Sequence, residues 1–233
     1  MNLGGVVNLA QTLVNRKDVD LPAKLLLGIN LAHDEIQKTI PLGNGGVLDL
    51  NWQAMEMTAD LTYPASGPSV ALPAGFKSLR NVWRIGTDGV TLTPLLASTQ
   101  DEVNALRGVA HREPVPAIGN DYYHQRYFVA GQQLSLFLPP KKPLQLRCDY
   151  YGVLPQYNTA DLASTDWFSQ NESLALAWGA CMFASINFWE DDRVAMFTGK
   201  WREQVMKDYQ GDVQSKQGAA WRVYRPPVRI GRI

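Results

Sequence analysis

Residues 166–189 read DWFSQNESLALAWGACMFASINFW, and this stretch decides the fold class. Its apolar residues recur mostly at steps of three and four, the period of a helix face, and Asp166 precedes them where an N-cap is expected. The stretch is apolar enough for a largely buried helix, yet it follows a long segment with the period of strands. Helix after sheet predicts an α+β fold. The predicted face consists of Trp167, Leu174, Trp178, Cys181, Met182, Ser185, Phe188 and Trp189.

A further helix is predicted immediately after this stretch. It opens with Glu190, Asp191 and Asp192, because acids complement the positive end of a helix dipole. Gly218 is predicted to end it. Its apolar face contains Val194, Phe197, Trp201, Val205, either Asp208 or Tyr209, and Val213.

Two more helices are predicted before the strands. Asp20 caps the second of them, Pro22 suits its first turn, and Pro41 with the Gly43–Gly46 link ends it. The face of the first helix is Val6, Leu9, Ala10, Leu13 and Val14; that of the second is Leu25, Leu26, Ile29, Ala32, His33 and Ile36.

The segment between the helical pairs has short apolar runs separated by turn residues, which is typical of strands. Asp88-Gly89 predicts a hairpin turn. A short helix over Thr99–Leu106 is predicted from a Ser98 or Thr99 cap. The predicted strands are Leu61–Tyr63, Ser69–Leu72, Ser78–Ile85, Val90–Pro94, Tyr122–Val129, Gln132–Leu138 and Leu144–Tyr151.

Neither helical pair can bury its apolar face alone, so we expect the two pairs to form one discontinuous bundle. The predicted organisation is N-terminal bundle helices in residues 1–50, an inserted antiparallel β domain in 51–152, C-terminal bundle helices in 153–218, and an extended basic tail in 219–233.

The charge is balanced over the whole chain but not along it. The 233 residues carry 22 basic and 22 acidic side chains, which argues against a polybasic nucleic-acid binder. The last thirteen residues hold four arginines and no acid, so 18 bases face 22 acids in residues 1–220. An acidic body therefore carries a basic end.

The sequence predicts no metal, cofactor or membrane span. Cys148 and Cys181 stand far apart without a CxxC spacing, so we expect buried free thiols rather than a disulfide or zinc site. The first fourteen residues lack the basic start of a secretory signal, and no apolar run reaches the length of a span. We expect a soluble protein or part of a soluble assembly.

The sequence also predicts no catalytic residues. His33, His111 and His124 have no serine or cysteine beside them in a nucleophile motif, and His33 suits a bundle face. Asp191 and Asp192 are explained by the start of a helix. The Gly43–Gly46 stretch lacks the Lys-Ser or Lys-Thr of a phosphate-binding loop and suggests a flexible link.

The aromatic residues of the C-terminal helices have the spacing of core or subunit-interface residues. We assign Trp178, Phe188, Phe197 and Trp201 to one of these two roles; Trp167 and Trp189, near helix ends, fit either.

The basic tail is the candidate binding segment. Apolar residues alternate with its arginines, and an extended strand with one apolar and one basic face suits β-augmentation of a partner, with arginine pairing to acids. An idle disordered end and weak contact with DNA are the alternatives. The candidate docking residues are Arg222, Val223, Tyr224, Arg225, Val228, Arg229, Ile230 and Arg232.

Several short sequence motifs, taken in their order along the chain, resemble those of the head-to-tail adaptor proteins of tailed bacteriophages, including the tail tubular protein A group. They cover nearly the whole chain. The motifs are Ile29, Asn30, Ala32 and Ile36; Leu72, Pro73, Ala74, Gly75 and Phe76; Leu136, Leu138, Pro139 and Pro140; Trp167 and Phe168 through Asp192 and Arg193; and Trp201, Arg202 and Glu203.

This resemblance implies a non-enzymatic virion protein of the neck and tail region, assembled in the host cytoplasm. It implies a twelve-fold homo-oligomeric ring that joins the portal protein to the next tail component, a nozzle or tail tube, and lines the conduit through which DNA passes without sequence-specific contact. It also implies that the C-terminal extension reaches the portal.

Two other functions remain open at this point. One is a carbohydrate-binding or glycan-degrading tail component that exposes Tyr122, Tyr123 and Tyr127 on its β domain. The other is a stopper or tail-completion ring in the same conduit.

Overall fold

The computed structural model describes residues 1–41, 47–102, 126–137, 140–189 and 192–223, without the side chains of 39, 41, 47 and 217–223. The chain divides into two compact units. The first combines Met1–Ala54 with Leu154–Ile233, and the second is Met55–Val153. The first unit contains the long helices and the second contains two four-stranded sheets, so the fold is α+β.

The first unit begins with helices α1, Leu3–Val14, and α2, Leu21–Ile36. The Asn2 side chain caps α1 by accepting a hydrogen bond from the Gly5 N–H at 2.9 Å. Asp20 precedes α2 but makes no cap hydrogen bond, contrary to the prediction; it pairs with Lys24 at 3.0 Å instead. The predicted face of α2 is confirmed, because all six of its residues are buried.

The stretch that decides the fold class forms two helices and a π-helical turn rather than one helix. Helix α3 is Trp167–Asn171, α4 is Ser173–Ala184, and the π turn is Ser185–Trp189. Asp166 caps α3 as predicted, accepting from the Ser169 N–H at 2.8 Å. The single predicted helix was wrong because Glu172 leaves the helical conformation, with φ −116° and ψ 25°.

Helix α4 packs against α1, α2 and the last helix of the unit. Its buried residues are mainly small ones, including Ala175, Ala177, Gly179 and Ala180, whereas Leu174 is 37% exposed. A Cβ added at Gly28 of α2 would lie 2.7 Å from the Ala180 carbonyl oxygen, so glycine permits this close helix approach.

The last helix, α5, spans Val194–Val223. The prediction that Gly218 ends it was wrong: the helix continues through residues 219–223, which are therefore not extended. Its acidic start was also misplaced, since Asp192 precedes the helix and the first turn contains no acid.

The first unit also contains small elements that the sequence pattern did not predict. A hairpin pairs β1, Thr39–Pro41, with β2, Val47–Asp49. A 3₁₀ turn, Gln53–Met55, precedes the next strand, and a second 3₁₀ turn, Thr159–Ala163, precedes α3. The predicted link Gly43–Gly46 lies outside the described residues.

The second unit contains two four-stranded sheets. One has the order β3-β10-β5-β6, and the other has the order β4-β9-β8-β7. All its described pairs are antiparallel except β7 with β8, which are parallel, so the sheets are not wholly antiparallel as predicted. The strands are β3 Glu56–Tyr63, β4 Val70–Ala71, β5 Phe76–Ile85, β6 Leu92–Pro94, β7 Leu96–Ala97, β8 Arg126–Ala130, β9 Gln133–Leu136 and β10 Leu144–Gly152.

The core of the second unit is formed by residues from both sheets, among them Val82, Leu134 and Leu146. Tyr63 joins it and donates a hydrogen bond from its hydroxyl to the Pro68 carbonyl at 2.7 Å. Tyr127 is also buried there, only 6% exposed, which contradicts its assignment to an exposed aromatic platform.

Two local predictions in this unit are confirmed. Gly89 has φ +70° in the turn between β5 and β6, a conformation that favours glycine. Thr99 and Glu102 make reciprocal cap hydrogen bonds of 3.0 and 3.2 Å, while the rest of the predicted helix lies beyond the described residues.

Candidate functional site

The predicted docking tail is described only at its start. Arg222 and Val223 form the last turn of α5. Tyr224, Arg225, Val228, Arg229, Ile230 and Arg232 lie outside the described residues, as do His111, His124, Tyr122 and Tyr123.

The four aromatic residues assigned to core or interface occupy different environments. Phe197 is fully buried and Trp201 is 7% exposed, so both belong to the core of the helical unit. Trp178 is half-buried beside Phe197, with ring centroids 6.0 Å apart. Phe188 is 39% exposed on the π turn, which makes it a surface residue.

Phe188 belongs to a surface region that we call the apolar end. Here the π turn lies beside the start of α2, because the Lys24 ammonium stands 5.8 Å from the Phe188 ring. The exposed apolar residues of these elements are Leu27, Ile186 and Phe188. Exposed apolar side chains on neighbouring elements are candidates for contact with other proteins.

A second feature of the helical unit is an acidic cavity of about 460 Å³ between α3, α5 and the 3₁₀ turn at Gln53. Glu172 lines it from the break between α3 and α4, and Asp208 and Asp212 line it from adjacent turns of α5. Trp167 contributes an aromatic wall. The three carboxyl groups converge because 208 and 212 are one helical turn apart and face the break at Glu172.

The three carboxyl groups differ in the hydrogen-bond donors that surround them. Asp212 accepts from Lys216 at 3.0 Å and from the Gln53 N–H at 3.3 Å, and Asp208 accepts from the Gln204 amide at 2.7 Å. One oxygen on each group, Glu172 Oε2, Asp208 Oδ2 and Asp212 Oδ1, is buried with no hydrogen-bond partner among the described residues. Apart from a proton on Glu172, the described residues supply no hydrogen-bond donor to these three oxygens.

Glu172 responds to this environment by retaining its proton. Glu172 is only 5% exposed to solvent. Burial raises its pKa to about 9, and a hydrogen bond with Asp208 and the charges of Asp208 and Asp212 act in the same direction. Glu172 is therefore protonated at neutral pH.

The sequence analysis missed this cavity. Asp208 was considered only as a member of the apolar face of α5, and Glu172 lies 36 residues before it. The available clue was the spacing of Asp208, Asp212 and Lys216 on the side of α5 that also carries Val205.

His33 is a packed core residue, as predicted for a bundle face. It is 1% exposed and lies between Tyr157 and Phe168, with ring centroids at 4.7 and 5.1 Å. Burial lowers its pKa, although the charge of Asp166 opposes the shift. Asp166 itself accepts a 2.6 Å hydrogen bond from the Tyr157 hydroxyl.

Cysteines and other metal-ligating side chains were the basis of the prediction that the chain has no disulfide and no metal site. Cys148 and Cys181 are buried free thiols, as predicted, and burial raises the pKa of each to about 12. Among the described residues, no group of three or more His, Cys, Asp or Glu has an arrangement that could hold a metal ion. Nor does any described helix combine the length and apolarity needed to cross a bilayer.

The described residues of the helical unit thus include exposed apolar side chains and an acidic cavity, both of which suit contacts with other proteins. Over residues 1–230 the chain matches the family described as SU10 adaptor protein, and it therefore belongs to this family of phage adaptors. No curated protein matches the chain.

Proposed function

We propose that this protein forms the head-to-tail adaptor ring that joins the portal vertex to the tail of a bacteriophage virion. The observation that carries the proposal is the family match over residues 1–230. The helical unit is the ring-forming bundle, the β unit contacts the next tail component, and DNA passes through the central conduit. The ring has twelve copies and resides in the neck after assembly in the host cytoplasm.

The apolar end supports self-association as part of this function. Leu27, Ile186 and Phe188 are 48%, 48% and 39% exposed, and burial of such side chains is the main favourable contribution to association. Each copy would bury its apolar end against a different surface of the next copy, because a ring requires heterologous contacts.

The C-terminal tail is the portal-binding segment of the proposal. It follows α5 directly and contains Arg225, Arg229 and Arg232 among apolar residues. Twelve equivalent tails in one ring would convert a weak single contact into firm attachment through avidity.

The test mixes the purified protein with its cognate portal protein and measures native mass and two-dimensional class averages. The full chain should give a ring stacked on the portal. A chain truncated after Val223 should keep its melting temperature and fail to attach. Portal binding by the truncated chain would reject the role of the tail, whereas a full chain that neither forms rings nor binds the portal would reject the adaptor function. A ring that binds only the distal face of another ring would indicate a stopper.

A further inference from the structure

We propose that, before the portal is present, the basic segment 224–233 folds back on its own chain and places an arginine in the acidic cavity formed by Trp167, Glu172, Asp208 and Asp212. The cavity would then hold the segment in a stored position from which the portal has to release it.

The cavity provides what a guanidinium group requires. Glu172 is 5% exposed and lines the cavity with a carboxyl oxygen to which no described residue donates a hydrogen bond. Asp208 presents a second such oxygen, and the Trp167 ring forms an adjacent wall. Arginine combines planar donors for carboxylates with a flat face that stacks on aromatic rings.

The acidic cavity and the basic segment 224–233 have complementary charges. Lys216 compensates Asp212, and Lys207 lines the cavity as an exposed residue, whereas Glu172 keeps its proton beside Asp208. The segment 224–233 offers three arginines and no acid. A bound guanidinium would place a positive charge beside Glu172 and favour the release of its proton.

The segment is long enough and starts near enough to reach the cavity. Asp212 and Val223 are on the same helix, and eleven residues of helix rise about 16 Å. Beyond Val223, six residues can span up to about 20 Å when extended and nine up to about 30 Å, so Arg229 or Arg232 can return to the level of Asp212. Pro226 and Pro227 keep the chain from continuing the helix past that point.

The test compares the rate at which trypsin removes residues 230–233 by cutting after Arg229, measured by mass spectrometry. The cavity variant combines Glu172→Gln with Asp208→Asn, which keep the side-chain volumes. The matched control is Glu203→Gln, an acid on the exposed side of the same helix. We expect cleavage at least about fivefold faster in the cavity variant than in the wild type and unchanged in the control, with the difference lost at high salt.

Equal cleavage rates in the wild type and the cavity variant would overturn the proposal. Protection that increases with protein concentration would assign the segment to a second copy and overturn the contact within one chain. As a second measurement, a synthetic peptide of residues 224–233 should bind the chain truncated after Val223 and should not bind the truncated cavity variant. The portal takes no part in these measurements, so their failure leaves the adaptor function untouched.

Discussion

Replacing Glu172 by glutamine is expected to stabilise the protein at neutral and alkaline pH. The carboxyl group is on a residue 5% exposed, and its pKa is raised to about 9 in the folded state. The unfolded chain releases this proton near the ordinary value of 4.5, so it binds fewer protons than the folded chain between these two values. The free energy of unfolding of the wild type therefore falls as the pH rises from about 4.5 to about 9.

The size of the effect follows from the same two values. Each pKa unit corresponds to about 1.4 kcal/mol, so the cost at pH 7 has an upper bound of about 3 kcal/mol. Water in the cavity and a contact with the tail would both reduce it, and we expect a gain of about 1–3 kcal/mol for the glutamine variant. The glutamine amide can also donate a hydrogen bond to Asp208, as the Glu172 proton does in the wild type.

The assay is denaturant unfolding followed by circular dichroism at intervals between about pH 5 and pH 8.5. The wild type should lose stability with rising pH, and Glu172→Gln should be more stable and less dependent on pH. Glu203→Gln, on the exposed side of α5, should follow the wild type. A glutamine variant that is less stable than the wild type at pH 8, or that keeps the full pH dependence, would refute the reasoning.

Four further substitutions test the packing and the apolar end. Gly28→Ala places a Cβ 2.7 Å from the Ala180 carbonyl oxygen and should cost about 1–3 kcal/mol in thermal melts. Gly199→Ala, where nothing lies within 4 Å, should instead stabilise α5 by up to about 1 kcal/mol, and equal effects at both sites would contradict the packing. Trp201→Ala should cost about 3–5 kcal/mol because the residue is 7% exposed. Phe188→Ala should leave the melting temperature nearly unchanged but shift sedimentation towards smaller species; unchanged sedimentation would remove Phe188 from the subunit contact.

Sequence periodicity located α2 well because its environment is simple. Leu25, Ile29 and Ile36 repeat at helical steps and face one core, so the apolar pattern and the buried pattern coincide. The turn at Gly89 was equally predictable from the sequence, since the left-handed conformation at that position favours glycine.

Helix α4 was harder to predict because packing on several sides removes the contrast between faces. Its neighbours approach closest at Gly179 and Ala180, and the large residues Leu174 and Trp178 lie towards the surface. Hydrophobicity alone would bury Leu174 and Trp178 and leave Gly179 and Ala180 nearer the surface. The break at Glu172 was hidden for the same reason, because the apolar spacing continues across it.

The acidic cavity was beyond the reach of sequence reasoning because its members are brought together only by the fold. Gln53, Glu172 and Asp212 come from three separate segments of the chain. Each residue alone has an ordinary explanation as a turn, a helix start or an exposed face.

Helix α5 connects the core, the cavity and the tail. Phe197, Trp201 and Val205 anchor its first half in the core, while Asp208 and Asp212 line the cavity about one and two turns beyond Val205. The following turns lead to the basic segment. A contact made by that segment at the cavity would therefore act on the same helix that the core holds in place, so the proton on Glu172 and the position of the tail should respond to each other.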